Sequence, residues 1–148
     1  MKLQDIVREA AETIRQIEIL TGVPVVEMDK GRIWNDLDNK LTRSKAAVRV
    51  TCNGFTPRIQ GETAVDGIVG TTMLSVSIFK AYDEDRFNPA ERTVLEMAQA
   101  IAKSLHCAIA EGMDAPLYFK RITPIAETVK DGLDTITCDV EFETTTSL

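Results

Sequence analysis

The sequence predicts an α+β fold: a mostly antiparallel sheet of four to five strands, with an N-terminal helix and a second, long helix packed on it. Apolar residues recur every three or four positions over residues 3–21 and 89–111, which is typical of amphipathic helices. Apolar and polar residues alternate over 46–53, 71–80 and 134–144, which is typical of half-buried strands. The predicted strands form two hairpin-like pairs separated by the long helix.

Length and composition fit one globular domain over residues 1–148, because 44% of the residues are hydrophobic and 27% are charged. The net charge of −6 disfavours binding to the phosphates of nucleic acids. Three cysteines without close pairing argue against a disulfide framework. The N-terminus has the pattern of a helix and not of a signal peptide, so we expect a cytoplasmic location.

The N-terminal helix is predicted by a single apolar stripe, and Gly22 and Pro24 then provide its stop signals. A short strand is expected over 25–28, and either a short helix or an ordered loop over 32–44. The residues of the apolar stripe are Ile6, Ala10, Ile14, Ile17 and Leu20.

A connection over residues 54–70 separates the first two long strands and contains four glycines, so we predict a long mobile loop. Apolar side chains in a loop either fold back onto the domain or meet a partner. Both possibilities are open for the apolar residues of this segment, which are Phe55, Ile59, Val65, Ile68 and Val69.

The long helix is expected to begin at Pro89, with Asn88 as its N-cap and Glu91 completing a capping box. Gly112 would end it. A strand is then predicted over 117–128 with a break near Pro124.

A turn over residues 130–132 leads into the last strand, 134–144. This strand alternates clearly between apolar and polar residues, so one of its faces is expected to be buried. The final residues, 145–148, are predicted to be a frayed tail.

No catalytic, cofactor-binding or metal-binding site is predicted, and we do not expect an enzyme. His106 is the one histidine, and its neighbour Cys107 faces another direction if both lie on a helix. Cys52, Cys107 and Cys138 lack the close spacing of zinc ligands, and Cys52 and Cys138 are expected to be buried thiols. The acidic residues 83–85 lack the ligand order of an EF-hand.

Three carboxylates share one face of the last predicted strand at positions 139, 141 and 143. They predict either a charged sheet face that resists aggregation or an acidic surface used in an assembly. The residues of this acidic row are Asp139, Glu141 and Glu143.

A family resemblance is carried by the order of the elements more than by any single motif. The segments that carry it are the N-terminal helix, the strands at 47–51 and 74–79 with the long loop between them, the helix start at 88–92 and a final hairpin that ends with residues 138–143. With these elements the chain resembles, over most of its length, the tail-terminator or tail-completion proteins of tailed bacteriophages.

The resemblance implies a structural protein of a phage or prophage that caps the tail tube as a homo-oligomeric ring, commonly a hexamer. It implies contacts with the tail tube protein and a head-completion protein, no cofactor, and a location in the host cytoplasm before the virion tail. The acidic row would line a channel along which DNA passes without specific binding. The assembly contacts implied for the 54–70 loop are Phe55, Arg58, Ile59 and Ile68.

A second class of function is also compatible with the residues. In this alternative the sheet and the long helix enclose a small molecule, and the chain is a binding or regulatory module. A pocket converging on His106, Cys107 or the acidic loop would favour it.

Overall fold

The structure is a computed structural model, and it describes residues 3–27, 45–58, 68–81, 93–109, 113–130 and 133–148. These residues form two layers, a mostly antiparallel sheet and a pair of helices packed on it. This confirms the predicted α+β class, with six strands where four to five were expected. The helices are α1 (Leu3–Arg15) and α2 (Val94–Leu105), and the strands are β1 (Val25–Glu27), β2 (Ala46–Pro57), β3 (Val69–Ala81), β4 (Tyr118–Ile122), β5 (Ala126–Lys130) and β6 (Leu133–Ser147).

The sheet has the strand order β1-β2-β3-β6-β4, and β5 also pairs with β6. The pairing of β1 with β2 is parallel, and the other pairings are antiparallel. On the side of β6 away from β3, β4 pairs with its C-terminal part and β5 with its N-terminal part. β4 and β5 therefore lie one after the other along the same edge of the sheet.

The core lies between one face of the sheet and the two helices. Val50, Val76 and Val140 are in register across β2, β3 and β6, and all three are fully buried. The predicted alternation of the last strand is confirmed, because its apolar residues point into this core. The helix residues that pack against the sheet include Ile6, Ala10, Ile14, Met97, Ala98 and Ile101.

The first helix is shorter than predicted and ends at Arg15 instead of residue 21. The N–H groups of Gln16 and Ile17 donate to the carbonyl oxygens three residues earlier, which tightens the chain beyond α-helical geometry. A 3₁₀ turn over Glu18–Leu20 follows. Gly22 has a φ of +83°, so its predicted left-handed conformation is confirmed, but it follows the 3₁₀ turn and is not the residue that ends α1.

The predicted bounds of the 54–70 loop are wrong at both ends, because β2 continues to Pro57 and β3 begins at Val69. A bulge between Cys52 and Phe55, with Gly54 at a φ of +112°, bends β2 while its pairing with β3 continues. Residues 59–67 lie outside the described part of the chain, as do the predicted elements over 32–44. The mobility of the loop stays a prediction.

Helix α2 begins later and ends earlier than predicted. Thr93 is the N-cap in an extended conformation, so a helix running on from Pro89 is wrong, although Asn88 and Glu91 themselves lie outside the described residues. The Thr93 Oγ1 accepts the Glu96 N–H at 3.1 Å, and a Glu96 carboxylate oxygen accepts the Thr93 N–H at 3.4 Å. At the C-terminal end of α2 the backbone of His106 is extended, so the helix ends at Leu105 instead of residue 111.

Replacing Thr93 with alanine is expected to lower the free energy of unfolding by about 1 kcal/mol, because the first turn of α2 loses its capping oxygen. Thr93→Ser keeps a hydroxyl and is expected to retain most of the stability. Urea denaturation of both variants measures the difference. Equal losses in the two variants would show that the hydroxyl is not the stabilising group.

The C-terminal strands extend further than predicted. The predicted 117–128 strand is divided into β4 and β5 around Pro124, as expected. The prediction of a frayed tail over residues 145–148 is wrong, because residues 145–147 pair with 69–71 of β3. The Thr72 Oγ1 donates to the Thr146 Oγ1 at 2.8 Å, and both side chains are buried. These threonines stabilise a strand end that has no apolar alternation.

Candidate functional surface

The β4–β5 edge exposes three large hydrophobic side chains. Tyr118 is 46% exposed, Phe119 is 36% exposed and Ile125 is 51% exposed. We call these three residues the edge strip. None of the described strands pairs with the outer side of β4 or β5, so the strip lies on the boundary of the sheet in this part of the structure.

A bulge determines which way the β4 side chains point. Phe119 is opposite Phe142 of β6, and Arg121 is opposite the next residue, Glu141, so Lys120 is an extra residue in β4. The ring of Phe119 meets the ring of the buried Phe142 edge to face, with 6.0 Å between centroids. Phe119 is thus partly anchored in the core, whereas Tyr118 lies on the opposite face.

The acidic row lies on one face of β6, the face away from the helices, but each of its carboxylates has a cation nearby. The Arg121 Nε donates to a Glu141 carboxylate oxygen at 2.8 Å, and the Lys120 Nζ lies 3.3 Å from a Glu143 carboxylate oxygen. The third carboxylate, that of Asp139, interacts electrostatically with Arg49. This face is therefore a set of paired charges, and its role as a DNA channel stays a prediction.

Arg49 joins three strands on the same face. Its Nη2 donates to the Ser77 Oγ at 3.2 Å, and its guanidinium carbon lies 5.3 Å from the centroid of the Phe79 ring. Burial lowers the pKa of Arg49 below its ordinary value, and the neighbouring Asp139 carboxylate opposes that shift. Ser77 and Phe79 are themselves buried, so this cluster stabilises the sheet and is not an open site.

His106 lies after the last turn of α2 and not within the helix. It is exposed, and its Nδ1 accepts the Phe119 N–H at 3.1 Å. Its ring meets that of Tyr118 edge to face, with 6.4 Å between centroids. Cys107 is exposed beside it at a φ of +62°, a left-handed conformation that is unusual for a residue other than glycine.

The cysteines differ from one another in burial. Cys138 is buried as predicted, whereas Cys52 is half-buried and not fully enclosed. Among the residues that the structure describes, no three or more His, Cys, Asp or Glu side chains are grouped in a way that could hold a metal ion.

The assembly contacts predicted for the 54–70 segment have different positions. Phe55 folds back over Gly70, and Arg58 is exposed and donates through its Nη2 to the Thr145 Oγ1 at 3.1 Å. Ile68 is exposed at the start of β3. Ile59 lies outside the described residues. Of the three side chains that the structure describes, Ile68 is the one that presents a large apolar surface to solvent.

A half-open groove of about 50 Å³ lies between α1 and the chain that follows α2. It is far smaller than the several hundred Å³ of a typical small-molecule pocket. It has room for a small side-chain group or a few water molecules. Its lining includes Ala10, Thr13, Leu105, Ile109, Met113 and Leu117.

The edge strip is absent from the residues predicted above, although the sequence contains a signal for it. Tyr118 and Phe119 are adjacent apolar residues followed by the charged pair 120–121, which breaks the alternation of a half-buried strand. Pro124 follows, and proline is confined to edge strands and strand ends. Together these features indicate an edge strand whose apolar residues cannot all be buried.

None of the helices in the described residues is long and apolar enough to span a membrane. No protein-family model and no curated protein matches the chain. Among solved structures, a hypothetical protein is similar over 96% of this chain and 96% of its own, with 12% sequence identity and a TM-score of 0.48. A similarity this distant does not indicate a function.

Proposed function

We propose that this protein is a structural assembly subunit that packs against copies of itself through the edge strip. In this proposal the copies form a ring, a hexamer, that caps the tail tube of a phage or prophage. The ring presents a surface to a head-completion protein, and DNA passes through it without specific binding. The protein assembles in the host cytoplasm and ends in the virion tail.

The observation that carries the proposal is the exposure of the edge strip. Fully burying a large apolar side chain contributes about 1.5–3 kcal/mol. The three side chains of the edge strip are 36–51% exposed, so each can add up to about half of that on association. Tyr118 and Phe119 are aromatic, and aromatic residues are enriched at the centres of protein interfaces. Contact of this strip with a different surface of the next copy generates a closed ring if the rotation between successive copies closes, and the proposal requires that it does.

The charges of the protein support the passage of DNA less directly than the exposed edge strip supports association. The net charge of −6 repels phosphates as a whole. The acidic row adds little to that field locally, because Lys120 and Arg121 pair with two of its members. The channel part of the proposal therefore depends on the whole ring and not on this row alone.

The double variant Tyr118→Ser/Ile125→Asp is expected to convert the ring to monomers, because a polar and a charged group replace two of the three apolar contacts. Native mass spectrometry measures the oligomer. The matched control is Leu95→Asp, since Leu95 is 45% exposed but lies on α2. A monomeric native protein, or equal oligomers in all three proteins, would contradict the proposal.

Binding to purified tail tubes tests the part of the proposal that concerns tails. The native ring is expected to sediment with tail tubes, and the Tyr118→Ser/Ile125→Asp variant is expected to remain in the supernatant. An intact ring that does not bind tubes of any tail type would support an assembly role elsewhere.

A further inference from the structure

The chain that leaves α2 lies along Leu117, the residue before β4, and along the outer side of the first residues of β4. The Leu117 N–H donates to the Ala108 carbonyl oxygen at 2.8 Å, and the Leu117 carbonyl oxygen accepts the Cys107 N–H at 2.7 Å. The Phe119 N–H donates to the His106 Nδ1 at 3.1 Å. These three main-chain groups face away from β6, and they are the groups to which an added strand would bind.

The left-handed conformation of Cys107 makes this arrangement possible. The chain must turn sharply after α2 to bring residues 107 and 108 alongside Leu117. A φ of +62° at a residue other than glycine costs about 1–2 kcal/mol. The hydrogen bonds to Leu117 offset part of that cost, so the turn and its contacts with β4 depend on each other.

Beyond Phe119 the edge is interrupted by other features. The extra residue Lys120 shifts the ladder, and its exposed ammonium group lies 3.3 Å from a Glu143 carboxylate oxygen. The Thr123 N–H donates inward to the Asp139 carbonyl oxygen, and Pro124 has no N–H. A bulge, a lysine and a proline are known features of edges that resist strand addition.

We propose that residues 106–108, together with the Lys120 bulge, form an edge cap that prevents a second copy of the chain from adding to β4 as a strand. Any partner at this edge must then bind the side chains of the edge strip and not the main chain. His106 is a positioning residue in the cap, because its Nδ1 binds an N–H that the ladder would otherwise leave open. The edge cap does not depend on ring formation.

The test combines His106→Ala with deletion of Lys120, which removes the acceptor and restores a regular ladder. Size-exclusion chromatography with light scattering is expected to show a shift from one defined species to large, polydisperse species that bind thioflavin T. His106→Asn can place a carbonyl oxygen near the position of Nδ1 and is expected to behave like the native protein. Lys103→Ala, at an exposed position three residues before His106, is the control for loss of a nearby exposed side chain that makes no contact with β4 in the described hydrogen bonds.

A folded double variant with the native mass would overturn the edge cap. If the deletion prevents folding, His106→Ala alone decides the question by amide hydrogen exchange. Faster exchange of the Phe119 amide, with concentration-dependent growth of large species that His106→Asn does not show, supports the cap. Unchanged exchange and mass would overturn it. Failure of the proposed ring is seen in a different measurement. It would appear as a different oligomeric state of the native protein, whereas the edge cap is tested by the growth of large species in the variants.

Discussion

Replacing Phe142 with alanine is expected to lower the free energy of unfolding by about 3–5 kcal/mol, a large fraction of the stability of a domain of this size. Phe142 is fully buried on the core side of β6. It is in register with Leu74 of β3 and with Phe119 of β4. The alanine variant therefore loses an aromatic ring and leaves a cavity at the point where three strands and the helices meet.

Urea denaturation followed by circular dichroism measures this loss. The matched control is Phe119→Ala, which removes the same ring from a partly exposed position in contact with Phe142. We expect Phe119→Ala to cost clearly less, because its ring leaves solvent-accessible space instead of a closed cavity. Comparable losses in the two variants would mean that Phe142 is not the central residue of the core.

The parts of the fold that the sequence predicts well are those governed by periodicity. Val140 and Phe142 alternate with polar residues, and this alternation alone places them on the buried face of β6. The apolar stripe of α1 is predicted for the same reason, because a helix on the surface of a domain buries only one of its sides. Burial of apolar surface is the dominant stabilising effect, so these patterns survive in the folded chain.

Element boundaries depend on choices that a local pattern does not decide. Asn88 with Glu91 and Thr93 with Glu96 are both plausible capping boxes, and the structure uses the second. At the C-terminus, the run Thr144–Ser147 has no apolar alternation, so its sequence is typical of a frayed end. It forms a strand because β3 continues beside it and supplies partners such as Thr72.

The candidate surface was the least predictable part, since it depends on contacts between residues distant in sequence. His106 and Phe119 are 13 residues apart, and their hydrogen bond requires the sharp turn at Cys107. No propensity rule predicts a left-handed cysteine. Strand alternation predicts the correct face for the acidic row, but its pairing with Lys120 and Arg121 requires the position of β4, which the sequence does not provide.

Gly70 shows how the β2–β3 hairpin restricts side-chain volume. A Cβ built at Gly70 would lie 2.6 Å from the Phe55 Cζ and 2.7 Å from the Pro57 Cα, and it would also meet the Thr56 carbonyl oxygen. Gly70 and Pro57 are paired across the two strands. The ring of Phe55 can rotate away, but the two main-chain atoms can move only if the strands separate.

Gly70→Ala is therefore expected to lower the free energy of unfolding by about 2–3 kcal/mol, through crowding in a closely packed strand pair. Gly22→Ala is the matched control: nothing lies within 4 Å of its added Cβ, but Gly22 has a φ of +83°. Its expected loss, about 1–2 kcal/mol, comes from backbone strain alone.

A second variant separates the two sources of crowding at Gly70. Gly70→Ala combined with Phe55→Ala removes the ring but leaves the contacts with the Pro57 Cα and the Thr56 carbonyl oxygen. We expect only partial recovery relative to Phe55→Ala alone, because the main chain of β2 still blocks the added methyl group. Full recovery would show that the ring is the obstacle, and that Phe55 and not the strand spacing requires glycine at this position.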